Sequence, residues 1–261
     1  MSNLRAAIAF LTRIPVATDQ QANLPAAVPW FPVTGCLIGV IVGGIAAGLI
    51  QLVPPIVAAA VAVLAGVLIT GAFHEDGLAD VSDAFAGGWT AEQRIKILDD
   101  PLHGSYDVAA LCGSIVVRVA CVASLGASGP VVFACLLAAH GLARAASIGL
   151  MVTVPVSRPD GLGAEYARGL HRRAVVGGVL AAVVVAAIAT GWWVIPFLVL
   201  PGLLENPIPG QEGTPLYFVM AGIGVILLFW GFIEIACLRG TVGPNRFGED
   251  PLAIQGAPVN A

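Results

Sequence analysis

Three aspartates, Asp76, Asp80 and Asp83, stand within the segment FHEDGLADVSDAFAGGW at residues 73–89. If this segment is helical, the i, i+4, i+7 spacing places all three carboxylates on one face over about two turns. Such a face repels itself, because like charges at i, i+4 cost roughly 0.2–0.5 kcal/mol even in water. A divalent cation is the natural neutraliser, and hard oxygen ligands favour Mg2+ or Mn2+ over zinc. Gly77, which carries no side chain, would let a substrate phosphate come close to the backbone. The plain alternative is an acidic loop that does nothing more than face solvent.

The following segment, EQRIKILDDPLHGSYD at residues 92–107, mixes cations with further carboxylates: Arg94, Lys96, Asp99, Asp100 and His103. That mixture suits phosphoryl transfer. A metal bridges phosphate oxygens, arginine and lysine hold the diphosphate, and a carboxylate or imidazole takes the proton from an attacking hydroxyl. The bland reading is an amphipathic surface helix with Ile95, Leu98 and Leu102 turned to lipid headgroups. The two readings are compatible.

These charges need a frame, and composition says which kind. The chain of 261 residues is 58% apolar and 11% charged, with mean hydropathy +0.92. A soluble domain of this size carries far more charge, so a bilayer is the expected solvent. Apolar stretches long enough to cross it recur near residues 33–53, 56–73, 106–126, 130–152, 174–200 and 215–238. The fold class expected is therefore all-α, a polytopic transmembrane bundle of about six spans. The N-terminal run AAIAFLT is too short to span and is expected along the interface. The five cysteines, Cys36, Cys112, Cys121, Cys135 and Cys237, lie in apolar runs without a CxxC pair and suggest neither disulfide nor thiolate metal site.

Positive residues are retained on the cytoplasmic side of a membrane. With the N-terminus inside, Arg5, Arg13, Arg94, Lys96, Arg158, Arg168, Arg172, Arg173, Arg239 and Arg246 all fall in inside segments, and the outside loops hold none. Both termini and the charged loops are thus expected in the cytoplasm. Arg118 and Arg144 fall within spans, where a charge is expensive and marks a site or an internal partner. Glu234, also intramembrane, is a candidate partner for Arg118. The glycine-rich GVIVGGIAAG at residues 39–48 suits close helix packing, either within one chain or in a homo-oligomer.

Several ordered motifs carry a resemblance to cobalamin synthase, the adenosylcobinamide-GDP ribazoletransferase family: FLTRIP at 10–15, FPVTGCLIG at 31–39, HEDGLADVSDAFAGG at 74–88, RIKILDDPLHGSYDVAAL at 94–111, ARAASIGLM at 143–151 and RPDGLGAEY at 158–166. The resemblance implies attack by a ribose hydroxyl of α-ribazole, or of its phosphate, on the diphosphate of adenosylcobinamide-GDP. GMP leaves, with Mg2+ as cofactor, at a bacterial inner membrane. Carried over position by position, it implies Asp76, Asp80 and Asp83 as metal ligands. It further aligns Asp100 with a family aspartate and leaves Arg94, Arg144 and Arg158 as phosphate-holding groups; no nucleic acid is expected. Asp83, Asp100 and His103 are the candidates for the chemical step.

The resemblance runs to about residue 185, which suggests a synthase-like membrane domain over 1–185 and an atypical membrane segment and tail over 186–261. The latter resembles a bacterial inner-membrane domain without assigned function and lacks the family's glycine-rich C-terminal segment, which places catalytic competence in question. Asp107, where the family has glycine, and Glu75 are extra charges beside the signature. Two other readings remain open at this point: a CDP-alcohol phosphotransferase-like enzyme, and an impaired membrane assembly or transport protein.

Overall fold

A computed structural model describes residues 2–16, 23–153 and 162–190. Every element among them is helical: α1 (Ser2–Leu11), α2 (Leu24–Ala27), a single 3-10 turn (Val28–Trp30), α3 (Phe31–Leu49), α4 (Pro55–Thr70), α5 (Phe73–Gly87), α6 (Ala91–Leu98), α7 (Ser105–Ser124), α8 (Gly129–Thr153), α9 (Leu162–Ala167) and α10 (Arg172–Ala189). Four stretches, Leu24–Leu49, Ser105–Ser124, Gly129–Thr153 and Arg172–Ala189, are long and apolar enough to cross a membrane. The pair α4 and α5 qualifies only when taken together, and the two are bent by 90°. Large apolar side chains such as Leu68, Val116, Leu180 and Ile188 are exposed on these helices, as a lipid-facing surface requires. The expected span at 215–238 and the end of that at 174–200 lie outside the described residues.

The central pair is α3 against α8. Gly35, Gly39 and Gly43 recur every four residues along one face of α3, and α8 lies directly on that stripe. A Cβ at Gly39 would fall 2.7 Å from Cα of Leu137, and one at Gly43 would fall 3.1 Å from the Phe133 carbonyl oxygen. Gly141 reciprocates from α8, where a Cβ would meet Sγ of Cys36 at 2.7 Å. Small residues let backbones approach, which is how helices associate where lipid removes the hydrophobic driving force. Part of the glycine-rich run thus packs within this chain, whereas Gly44 and Gly48 face open space.

α4 begins on Pro54-Pro55, with proline at its first position where no amide hydrogen is needed. It ends on two consecutive left-handed residues, Gly71 (φ 65°) and Ala72 (φ 59°). Gly71 adopts this conformation freely, but Ala72 does so at a cost of about 1–2 kcal/mol. The strained corner is braced by the N-terminal segment. The Arg13 amide donates to the Ile69 carbonyl at 2.7 Å, capping the end of α4, and the Arg13 side chain lies where a Cβ on Gly71 would be. Phe10 meets the Phe73 ring edge-on at 5.2 Å and also contacts Phe31 and Tyr166.

The N-terminal run that is expected along the interface has a protein partner on one side. Ala6, Ala7 and Leu11 are buried in a cluster with Phe31, Ile148, Tyr166 and Val175, so α1 packs on protein. Gly39→Ala is expected to lower stability by about 1–3 kcal/mol through overpacking. Gly44→Ala, pointing into open space, should leave the unfolding midpoint in detergent unchanged or higher.

Candidate functional site

The expected acidic helix exists. α5 buries Leu78, Val81 and Ala84 on its inner side and turns Asp76, Asp80 and Asp83 to the other, with Asp76 exposed and the other two half-buried. The Asp80 carboxylate feels the like charges of Asp76, Asp107 and Asp83. Gly77 lies between the first two aspartates, half-buried.

The chain then doubles back. Gly88 closes α5 where a Cβ would strike Arg94 and the Ala84 carbonyl, and α6 opens with a reciprocal cap between Thr90 and Gln93. Arg94 is buried, its guanidinium 5.6 Å from the centroid of the Phe85 ring. Its aromatic contact ties α6 to α5, while Lys96 on the same helix is exposed. Asp100 is exposed and accepts from the Leu102 amide at 3.0 Å, so it shapes the turn that leads to α7.

That turn brings His103 and Asp107 to the acidic helix. His103 Nδ1 and Asp107 Oδ2 are 2.5 Å apart. The Asp107 amide donates to Asp83 Oδ1 at 3.1 Å. Gly104 makes this approach possible, because a Cβ there would collide with the Asp83 carboxylate. Asp107 is 1% exposed, while the His103 side chain is 59% exposed. The extra carboxylate noticed in the sequence is therefore the group that orients His103, in a chain running from Asp83 through Asp107 to the imidazole. With Nδ1 bonded to Asp107, Nε2 is the ring nitrogen left for proton exchange. The hydrogen bond to Asp107 and then the Asp107 charge push the His103 pKa up, desolvation opposes them, and the charges of Asp76 and Asp80 add to the rise.

Two arginines expected within spans have internal surroundings. Arg118 Nη1 donates to Glu75 Oε1 at 2.8 Å, so the partner of Arg118 is Glu75; Glu234 lies outside the described residues. Arg144 is buried inside the bundle, its Nη1 3.4 Å from His140 Nδ1. It lines a half-open cavity between the helices with His74, Glu75 and Arg118. Arg158 lies outside the described residues.

The donor set around α5 is all oxygen, which fits Mg2+. Among the described residues no group of three or more His, Cys, Asp or Glu side chains is close enough to form a protein cage for a metal. Magnesium does not require one, since it keeps several waters and is bound through one or two carboxylates plus substrate phosphate.

The sequence profile of the family described as cobalamin-5-phosphate synthase matches residues 3–242. The chain belongs to this family. The match continues past residue 185, the expected end of the synthase-like part. A relative named adenosylcobinamide-GDP ribazoletransferase in Azorhizobium caulinodans is 36% identical over 82% of this chain and 88% of its own length. One of the same name in Bradyrhizobium diazoefficiens is 34% identical over 87% and 92%, respectively. Another in Ralstonia pickettii is 35% identical over 59% of this chain and 62% of that protein. No solved structure matches the chain significantly.

Two outcomes test the geometry of the acidic helix and of the loop after it. Gly104→Ala should leave the helices intact and move the Asp83 carboxylate, which is the flexible party in the collision. Transferase turnover in membranes should then fall about a hundredfold at unchanged expression, the usual effect of a displacement near 1 Å. Because Asp107 favours the imidazolium, its contribution to stability is complete below the ordinary imidazole pKa and is lost as pH rises through the raised one. Asp107→Asn should accordingly shift the His103 titration, followed by NMR of labelled histidine in detergent, toward lower pH.

Proposed function

We propose that this chain joins α-ribazole, or its phosphate, to adenosylcobinamide-GDP with release of GMP. The observation that carries the reading is the acidic face of α5 with the His103–Asp107 pair held against it, in a chain of this family. A ribose hydroxyl oxygen attacks the phosphorus attached to the cobinamide. A new P–O bond forms, the P–O bond to the GMP phosphate breaks, and the hydroxyl proton is taken up by a base. His103, with Nδ1 fixed by Asp107, is the group suited to accept it at Nε2. Asp83 positions Asp107 through its amide, and Asp100 holds the turn that carries His103.

Asp76, Asp80 and Asp83 would hold Mg2+, which when bound neutralises the diphosphate and the mutual repulsion of the carboxylates. Lys96, exposed on α6, is placed to meet an anionic substrate from solvent. Gly77 offers its backbone between Asp76 and Asp80. Arg94 acts by tying α6 to α5 through Phe85, and Arg158, beside the family motif RPDGLGAEY, is assigned to phosphate on resemblance alone.

The site faces the cytoplasm of a bacterial inner membrane in this reading. Its support is the arginine and lysine distribution, with six crossings and both termini inside. A homo-oligomer would use the faces of Gly44 and Gly48, which no helix covers among the described residues.

Membranes containing the protein should release GMP from adenosylcobinamide-GDP only when α-ribazole and Mg2+ are both present. Asp80→Asn should reduce that release to background at normal expression. Full turnover in this variant would remove the metal assignment, and release of GMP without α-ribazole would remove the acceptor.

A further inference from the structure

The half-open cavity between α3, α4, α5, α7 and α8 measures about 130 Å3 and does not include the acidic face. Its lining is graded. Along α4 it passes from Val63 to Thr70, along α7 from Val122 to Arg118, and along α8 from Leu136 to His140 and Arg144. Each helix thus becomes polar toward the corner where α4 gives way to α5, and α5 adds His74 and Glu75 there. Ionisable groups inside a membrane bundle are expensive and mark sites. A cavity with one apolar and one charged end suits an amphiphile.

The charged end sets two guanidiniums, Arg118 and Arg144, against one carboxylate. Arg118 Nη1 donates to Glu75 Oε1 at 2.8 Å, and Arg144 Nη1 lies 3.4 Å from His140 Nδ1. A guanidinium has several N–H donors, so such contacts leave capacity for a phosphate. Glu75 Oε2, buried without a hydrogen-bond partner among the described residues, calls for a donor beside that anion. The cavity also opens outward: the Arg118 side chain keeps 23% exposure, and Val116 and Val117 on the same helix are exposed. With the acidic face toward the cytoplasm, the charged end points to the inner surface and the apolar end to the bilayer centre, as an inner-leaflet lipid does. Basic pockets between transmembrane helices on that side hold anionic lipid heads.

We infer that this cavity binds the head of an anionic inner-leaflet phospholipid that carries a hydroxyl. The phosphate sits on Arg118 and Arg144, the hydroxyl donates to Glu75 Oε2, and the first carbons of one acyl chain meet Val122 and Leu136. The volume takes only this end of the molecule, so the chains pass out through the open side beside α7. Glu75 immediately precedes Asp76, so the lipid contact bears on the helix that carries the acidic face. The site does not depend on which reaction that face performs.

The test uses the full chain in phosphatidylcholine nanodiscs with a trace of phosphatidylglycerol that bears a diazirine near the glycerol end of one acyl chain. Photolabelled positions are mapped by mass spectrometry, and the phosphatidylcholine analogue with the same chains is the control. Label should fall on Cys121, Val122 and Leu136, about tenfold or more above the control. Unlabelled phosphatidylglycerol should remove it. Phosphatidylmethanol, with the same charge and no hydroxyl, should compete several-fold less well, and inorganic phosphate should leave the label in place. Arg144→Gln removes one guanidinium and Cys121→Phe fills the path of the chain; each should cut the label about tenfold.

Equal labelling by the two analogues, or label confined to the outward residues Leu68 and Val116, overturns the site. Displacement by inorganic phosphate makes it a site for free phosphate and overturns the lipid. Equal competition by phosphatidylmethanol overturns the hydroxyl contact to Glu75. Undiminished label in either variant, once its melting curve shows that it folds, overturns the site as well; should Arg144→Gln fail to fold, Cys121→Phe and the comparison of analogues on the unmodified chain decide.

Discussion

The left-handed corner at Gly71 and Ala72 is the constraint on which the site depends. α4 is an apolar helix and α5 carries the aspartates; only a sharp turn lets one sit in the bundle while the other lays its carboxylates along the bundle's end. A 90° change of direction over a break of so few residues demands φ > 0, and at Ala72 that conformation is held against its own preference. The restraint comes from a distant part of the chain. Arg13 caps the Ile69 carbonyl of α4 and covers Gly71, while Phe10 packs on Phe73 at the first residue of α5. The FLTRIP motif thus acts on the site without touching it.

Given that corner, electrostatics shape the rest. The acidic face collects like charges that no basic side chain on α5 relieves, and the loop from α6 to α7 adds another carboxylate, Asp107, in an almost fully buried position. That burial is offset at Oδ2, which meets His103, while Oδ1 is buried without a hydrogen-bond partner among the described residues; the Asp107 amide meets Asp83. The same chain of contacts orients an imidazole at the rim of the face. Oxygen donors, an oriented base and an exposed lysine are parts that phosphoryl transfer uses.

A second polar system occupies the interior. Arg118 and Glu75 neutralise each other across 2.8 Å between α7 and α5, and His140 and Arg144 extend the set along α8. These groups divide α5 into two working sides. One faces solvent with carboxylates, and the other closes a partly apolar cavity. The close α3–α8 contact, set by Gly35, Gly39 and Gly43, positions Val42 and Leu136 as walls of that cavity. Packing of small residues and placement of the polar cluster are thus one architectural feature.

Membrane character, helical class and the three aspartates on one face were legible in the residues alone. Hydropathy over long windows and the i, i+4, i+7 spacing are local properties that survive folding unchanged. So was the family, because its motifs are contiguous strings. The pairing of His103 with Asp107 was available in principle, since four residues separate them at the start of a helix. What folding alone decided were contacts between residues far apart in sequence. Arg118 found Glu75, 43 positions away, and Asp107 reached Asp83, 24 positions away, through the gap left by Gly104. The N-terminal helix bound protein for the same reason. A charged or aromatic side chain takes whichever partner the packed helices present, and sequence spacing does not encode which helices meet.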